Sequence, residues 1–277
     1  SIKQQTMAPV KVIIVNDGSD DEATLRHLEE IEREGWIVLH KKNGGLVSAR
    51  NAGIQAILDS GTRPLGIICI DSDDRLRPDF VLRCENVLKA CPDVGVVSTW
   101  IKHFESADRI WMKPCPSFPY QWTTNEIATF SAVRTEALVE VGLYQLEMHQ
   151  GCYSDWDLFN AVLAAGWKGV TIPEVLGEYR VRDESIRRRL NAHAHGRMRR
   201  AMFERFADLV AADAIDVALL SEAADSWILR EEVFTLRAQV ARARSFFKRP
   251  DRAVRWFGGK IYRRAARVVS RLTSKPI

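Results

Sequence analysis

The chain has 277 residues, 46% of them hydrophobic and 27% charged, with a net charge of +4. That is enough to bury one substantial core, and no apolar run approaches the roughly 20 residues that a membrane span needs. The five cysteines are odd in number and never spaced as CxxC, which argues against a disulfide framework or a zinc site and leaves reduced core thiols. Residues 230–277 hold 14 Lys or Arg against 3 Asp or Glu, so the basic charge belongs to the tail. With no basic-then-apolar leader pattern at Ser1, a cytoplasmic protein is expected.

In chain order, Val10–Val15 reads as the first strand, and Asp20 and Asp21 offer an N-cap for a helix through Glu34. Trp36–Leu39 reads as a strand and Val47–Leu58 as a helix. Leu65–Ile70 is a continuous apolar run, as a strand buried on both faces should be, and it stops at Asp71-Ser72-Asp73-Asp74. Pro78 opens a helix to about Ala90, Val94–Thr99 is another strand, and Thr135–Val141 and Asp155–Ala165 are helical. From Glu184 onward the pattern is helix only, around 201–212, 218–244 and 256–272. Strands alternating with helices predict an α/β fold whose mostly parallel sheet is covered on both faces.

Ligands of open α/β sheets bind beyond the carboxyl ends of the strands, so polar clusters there carry functional weight. Asn16-Asp17-Gly18-Ser19-Asp20 places Asp17 where it could accept from a nucleobase N–H, although the same residues make an ordinary turn and cap. Asp71, Asp73 and Asp74 would repel one another unless a cation sits between them, and hard oxygen ligands favour Mg²⁺ or Mn²⁺; a solvated Asp-rich turn is the alternative. Asp155 opens a helix, where the N-terminal end favours the ionised carboxylate, ready to take a proton.

The order of five segments resembles the family 2 glycosyltransferases. They are Val-Ile-Ile-Val-Asn-Asp-Gly-Ser-Asp-Asp (12–21), Asn-Gly-Gly-Leu-Val-Ser-Ala-Arg-Asn-Ala-Gly-Ile (43–54), Asp-Ser-Asp-Asp (71–74), Ser-Asp-Trp-Asp-Leu (154–158) and Tyr-Arg-Val-Arg-Asp-Glu-Ser (179–185). The resemblance implies a GT-A fold over 1–185, with 186–277 as a helical extension. It implies that Asp17 binds the base of a uridine-type nucleotide, that Arg50 helps hold the donor nucleotide, and that Asp71 and Asp73 form the metal-binding DxD with Mn²⁺ or Mg²⁺. Asp71 would thereby also touch the donor, Asp155 would be the catalytic base of inverting transfer, and Arg180 and Arg182 would lie near the diphosphate. Two positions depart from the family pattern: Ser154 stands where an acidic residue is usual, and Arg182 where a histidine is usual. Against the same pattern the chain starts after the family's first strand, so a fragment of a longer polypeptide is expected.

The implied reaction is transfer from a nucleotide-sugar donor to a glycan or lipid-linked glycan, in surface polysaccharide synthesis. A sugar-phosphate nucleotidyltransferase and a non-catalytic GT-A module are the competing readings. Trp111, Phe118, Tyr120 and Trp122 fall where the resemblance places acceptor-binding elements, and core packing accounts for them equally. The basic helix at 252–272 could lie on an anionic membrane surface or pack on protein. No nucleic-acid motif accompanies its charge.

Overall fold

The computed structural model describes residues 1–118, 120–145, 153–182 and 192–208. Contacts divide the chain into Ser1–Leu220 and Ser221–Ile277, and all described residues lie in the first unit. The helices expected at 218–244 and 256–272, with the basic face at 252–272, lie outside the described residues.

Strand β1 (Ile13–Asp17) starts later than the apolar run suggests and continues to Asp17. Its parallel pairing sets those bounds, with Ile13 opposite Ile37 and Asp17 opposite Lys41 of β2 (Ile37–Lys41). Helix α1 (Glu22–Arg33) connects the two strands; the Asp21 carboxylate caps it by accepting from the Thr24 amide at 2.8 Å. Helix α2 (Leu46–Asp59) follows β2 and packs on β1. Gly53 allows a close approach there, since a Cβ at that position would lie 3.1 Å from the Val15 side chain.

A second sheet runs in the order β3 (Gly66–Ile68), β7 (Ala132–Arg134), β5 (Val94–Glu105), β8 (Lys168–Val181), β4 (Arg75–Leu76), with β6 (Arg109–Trp111) also on β5. The α/β architecture expected from the alternation is present, but the sheet is mixed. Parallel pairing among the described residues is confined to β1–β2 and β5–β8, and β3–β7, β7–β5, β8–β4 and β5–β6 are antiparallel. The added antiparallel strands β4, β6 and β7 span two or three residues each, too few to register as an alternating pattern. β5 outruns its predicted end at Thr99 because β8 pairs along nearly its whole length, through irregularities near Val94, Thr99 and Trp100. Among the described pairings, β1 is bonded on one edge by β2 and β3 on one edge by β7, and no strand joins the two sheets.

Both faces of the larger sheet are covered. On one, Ile54 of α2, Leu138 of α5 (Thr135–Glu140) and Leu158 and Phe159 of α6 (Ser154–Ala164) pack with Ile67, Val96 and Val133. On the other, Phe80, Cys84 and Leu88 of α3 (Phe80–Ala90) pack with Val97, Ile101, Phe130 and Ile172. Each such side chain, fully buried, contributes about 1.5–3 kcal/mol. A third cluster joins Trp122 of α4 (Tyr120–Thr123) to Tyr153, Trp156 and Met202 of α7 (Ala192–Arg205). Helix α7, which falls within the extension expected at 186–277, thus packs on the α/β unit. Among the described thiols Cys84 is buried as expected, whereas Cys115 is exposed, on the irregular segment after β6, where its sulfur accepts from the Thr171 amide at 3.4 Å.

Candidate active site

The polar clusters marked in the sequence lie at the C-terminal ends of β1, β3 and β8 and at the start of α6. At the centre is Arg50, one turn into α2 and only 9% exposed. Its Nη2 donates to Asp71 Oδ1 at 2.7 Å, and its guanidinium lies 5.3 Å from the Tyr144 ring. Burial opposes the charge, but Tyr144, Asp71 and Asp155 around it outweigh burial and hold the guanidinium firmly protonated. Tyr144 is itself fixed by Asn51, which donates to the Tyr144 carbonyl at 2.8 Å and accepts from its amide at 3.0 Å.

Asp155 faces the same guanidinium. Its Oδ2 accepts from Thr129 Oγ1 at 2.9 Å and its Oδ1 from the Trp156 amide at 2.9 Å. Desolvation raises the Asp155 carboxyl above its ordinary range, and although Arg50, Thr129 and the Trp156 amide pull it back, the net displacement is upward. The helix-terminus reasoning from sequence therefore captures only part of its environment. A carboxylate of raised pKa is the stronger proton acceptor near neutrality.

The Asp71–Asp74 turn is held from β8. The Arg180 amide donates to Asp74 Oδ1 at 2.9 Å, and Arg180 Nε donates to the Asp73 carbonyl at 3.1 Å. Its Nη1 pairs with Glu105 at 2.6 Å, and its guanidinium lies 4.7 Å from the Phe104 ring. Arg182, 57% exposed in its side chain, reaches Asp73 Oδ2 at 3.3 Å. Asp74 is buried, and desolvation, reinforced by Asp71 and Asp73, lifts its carboxyl to about 7. Its Oδ2 has no hydrogen-bond partner. Three carboxylates in four residues offer hard oxygen donors of the kind a divalent cation takes, and one oxygen of Asp74 is unsatisfied. Among the described residues no group of three or more His, Cys, Asp or Glu is placed to hold a metal ion.

Asp17 forms a separate cluster at the end of β1. Lys41 Nζ donates to its Oδ1 at 2.6 Å, the Gly44 amide to the same oxygen at 3.0 Å, and the Gly45 amide to Oδ2 at 2.7 Å. Burial opposes ionisation, but these donors together hold the carboxyl below its ordinary range. Asp17 thereby ties down the loop that feeds α2 and Arg50. Gly18, at φ +73°, lets the turn pass against Asn43, where a Cβ would lie 2.6 Å from the Asn43 nitrogen.

With this arrangement in view, a family model for glycosyl transferase family 2 matches residues 1–145, more than half of the chain. The chain belongs to glycosyl transferase family 2. A UDP-Gal:alpha-D-GlcNAc-diphosphoundecaprenol beta-1,3-galactosyltransferase of Escherichia coli is 28% identical over 204 residues, covering 68% of this chain and 69% of the relative. A Bacillus subtilis (strain 168) protein named "Putative glycosyltransferase EpsH" is 36% identical over 113 residues, covering 39% of this chain and 30% of EpsH. The matched region is thus under a third of EpsH. Among solved structures, Staphylococcus aureus TarS 1-349 in complex with UDP-GlcNAc superposes with a TM-score of 0.53 at 14% identity, covering 68% of this chain and 55% of that one. The fold is GT-A.

The family 2 motifs thus supply Arg50, Asp71 and Asp155 as one group and Asp73, Arg180 and Arg182 as a second, with Asp17 apart from both. Lys41, Thr129 and Tyr144 escaped the sequence reading: each is a single residue outside any recurrent pattern. Asn51 had a signal, its place beside Arg50 in the quoted 43–54 segment. Of the aromatics weighed for acceptor stacking, Trp122 is wholly buried against Phe118, Phe203 and Phe206, a core residue. No helix among the described residues is long and apolar enough to cross a membrane.

Proposed function

We propose that this family 2 chain transfers a sugar, with inversion, from a uridine diphosphate sugar to a glycan or lipid-linked glycan acceptor in surface polysaccharide assembly. The observation that carries this reading is the buried Arg50 guanidinium, which is bonded to Asp71 and faces Asp155. Inverting transfer needs a base on one side of the anomeric carbon and charge neutralisation of a leaving diphosphate on the other. A shared cation between the two carboxylates fixes both and works against the upward displacement of Asp155.

Asp155 takes the proton of the acceptor hydroxyl as its oxygen attacks the anomeric carbon, and the bond from that carbon to the diphosphate breaks on the opposite face. Thr129 and the Trp156 amide hold the carboxylate in place for that proton. Arg182, just past the end of β8 and more exposed than Arg180, meets the departing diphosphate, while Arg180 keeps the Asp71–Asp74 turn in shape. Asp71 and Asp73 would hold Mn²⁺ or Mg²⁺, which when bound supplies Lewis-acid neutralisation of phosphate oxygens. Asp17 serves the uracil; because Lys41, Gly44 and Gly45 already occupy its oxygens, the base N–H shares that carboxylate or displaces Lys41.

The names of relatives support the donor and acceptor classes: TarS was crystallised with UDP-GlcNAc, and the E. coli relative is named for UDP-Gal and a GlcNAc-diphosphoundecaprenol. Calorimetric titration of UDP with Mn²⁺ and then with EDTA tests the donor site, followed by product analysis with UDP-sugars. Metal-dependent binding and release of free UDP support glycosyl transfer. No binding in either condition, or release of pyrophosphate instead, overturns it.

A further inference from the structure

Asp17 and Lys41 end the parallel pair β1–β2 and stand opposite each other in register. The carboxylate and the ammonium therefore leave the sheet side by side at its C-terminal edge, where Lys41 Nζ donates to Asp17 Oδ1 at 2.6 Å. Their side chains are 22% and 21% exposed, so each keeps a side open to solvent.

The loop that follows is shaped around the ammonium. Lys41 Nζ also donates to the Lys42 carbonyl at 2.8 Å. A Cβ at Gly44 would lie 2.9 Å from that nitrogen, so the glycine leaves room for it. Gly44 and Gly45 then turn their amides onto the same carboxylate, the first to Oδ1 and the second to Oδ2. Against burial, these donors hold the Asp17 carboxyl below its ordinary range, so it is an acceptor only.

A carboxylate oxygen accepts about two hydrogen bonds and an ammonium donates three. Oδ1 is filled by Lys41 and Gly44. Among the described residues Oδ2 receives Gly45 alone, and Lys41 has engaged two of its three protons. One acceptor place on Oδ2 and one donor on the ammonium bound at Oδ1 therefore remain. Uracil carries a matching edge, because its N3–H lies between two ring carbonyls. An N3–H on Oδ2 turns one of those carbonyls toward Oδ1 and the ammonium held there. The base then joins the pair without expelling Lys41. Cytosine has no proton on ring N3 and offers a donor beside an acceptor only when shifted one atom along its edge.

We propose that Lys41 is a base-reading residue: while paired to Asp17 it donates to the ring carbonyl beside the uracil N3–H, so that β1 supplies the acceptor and β2 the donor of one recognition edge. The role rests on the assignment of Asp17 to the uracil. It involves neither Asp155 nor a metal.

The test is calorimetry on the full chain in Mn²⁺ with UDP, 4-thio-UDP and 2-thio-UDP, in which sulfur makes one carbonyl or the other a poor acceptor. K41M is expected to bind UDP about tenfold more weakly than wild type, the loss of one charge-assisted hydrogen bond. One of the two thio analogues should bind wild type about fivefold more weakly than UDP, and in K41M that penalty should shrink to within about twofold. A lysine that only orders the loop would weaken all three ligands by the same factor; an unchanged thio penalty in K41M therefore overturns the proposal. So does a K41M that binds UDP as tightly as wild type or tighter, which would make Lys41 a competitor for Asp17. Wild type indifferent to both thio analogues overturns it without any variant, so the test survives a K41M that does not fold. Native UDP affinity in D17N overturns the uracil assignment and this role with it, leaving sugar transfer standing. A wild type that binds no UDP overturns the uridine donor itself.

Discussion

Thr129 Oγ1 donates to Asp155 Oδ2 at 2.9 Å, and the bond favours the ionised carboxyl that burial works against. Removing the hydroxyl in Thr129→Val leaves desolvation less opposed and lifts the Asp155 pKa further. A base works when ionised, so its rate is lost as pH falls through its pKa. The acid limb of the kcat profile should therefore move to higher pH in Thr129→Val, with little change at alkaline pH. Asp155→Asn should abolish transfer at every pH while UDP affinity stays within twofold. Full activity in Asp155→Asn would remove it as the base.

Arg50→Ala strands the Asp71 carboxylate and removes the cation facing Asp155. Because Asp71 is partly exposed, breaking this pair from one side costs about 1–3 kcal/mol, which a urea titration reads as a lower midpoint. UDP binding should weaken with it, because Asp71 loses the donor that orients it. Arg50→Lys keeps the charge without the planar fork and should lie between the two. A fully stable Arg50→Ala with native UDP affinity would show that the guanidinium orders neither carboxylate.

Asp73 pairs with Arg182 through a side chain that is 35% exposed, so Asp73→Ala should fold normally. The expected loss is specific: UDP affinity should drop at least tenfold in Mn²⁺ and little in EDTA. Equal losses in both conditions would assign Asp73 to the nucleotide rather than to a metal.

Much of this arrangement was legible in the sequence. The carboxylates and arginines sit in short motifs at strand ends, and the local chemistry of those motifs is the same whatever the rest of the chain does. The long-range partners were not legible. Thr129 reaches Asp155, Lys41 reaches Asp17 and Arg205 reaches Asp157 across separations that only the tertiary fold closes. The same limit applies to the sheet: the start of β5 showed an apolar run, but β8 was not read as a strand, and the antiparallel additions β4, β6 and β7 depend on pairing rather than periodicity.

His103 on β5 is buried, accepts from Arg109 Nε at 3.0 Å, and lies between the Trp111 and Tyr179 rings at 5.8 and 5.7 Å. Burial, with the Arg109 and Lys113 charges, pushes its pKa down to about 4. The folded pKa is below the unfolded value, so the unfolded chain binds the extra proton. The contribution is intact above the ordinary histidine range, near pH 6.5, and is lost as pH falls toward 4. Wild-type stability should drop by about 2 kcal/mol more than that of His103→Gln between pH 7 and 4.5, measured by urea unfolding. Parallel pH profiles for the two proteins would mean that His103 is protonated without cost.

Gly177 on β8 stands opposite both Leu76 of β4 and Ile101 of β5, directly beneath the fully buried Phe130 ring. A Cβ at 177 would overlap that ring, and Phe130 has little room to give because the Phe80 ring meets it edge to face at 6.0 Å. Overpacking of a close-packed core costs about 1–3 kcal/mol. Gly177→Ala should therefore lower the urea midpoint, and Gly177→Ala/Phe130→Leu should recover part of the loss, because the smaller side chain frees the space the new methyl needs. The arginines proposed to meet the diphosphate lie farther along the chain, beyond Tyr179, so UDP affinity measured at low temperature, where the variant is folded, should stay near wild type. A Gly177→Ala protein as stable as wild type would mean that β8 can shift away from Phe130 without breaking its pairing to β5.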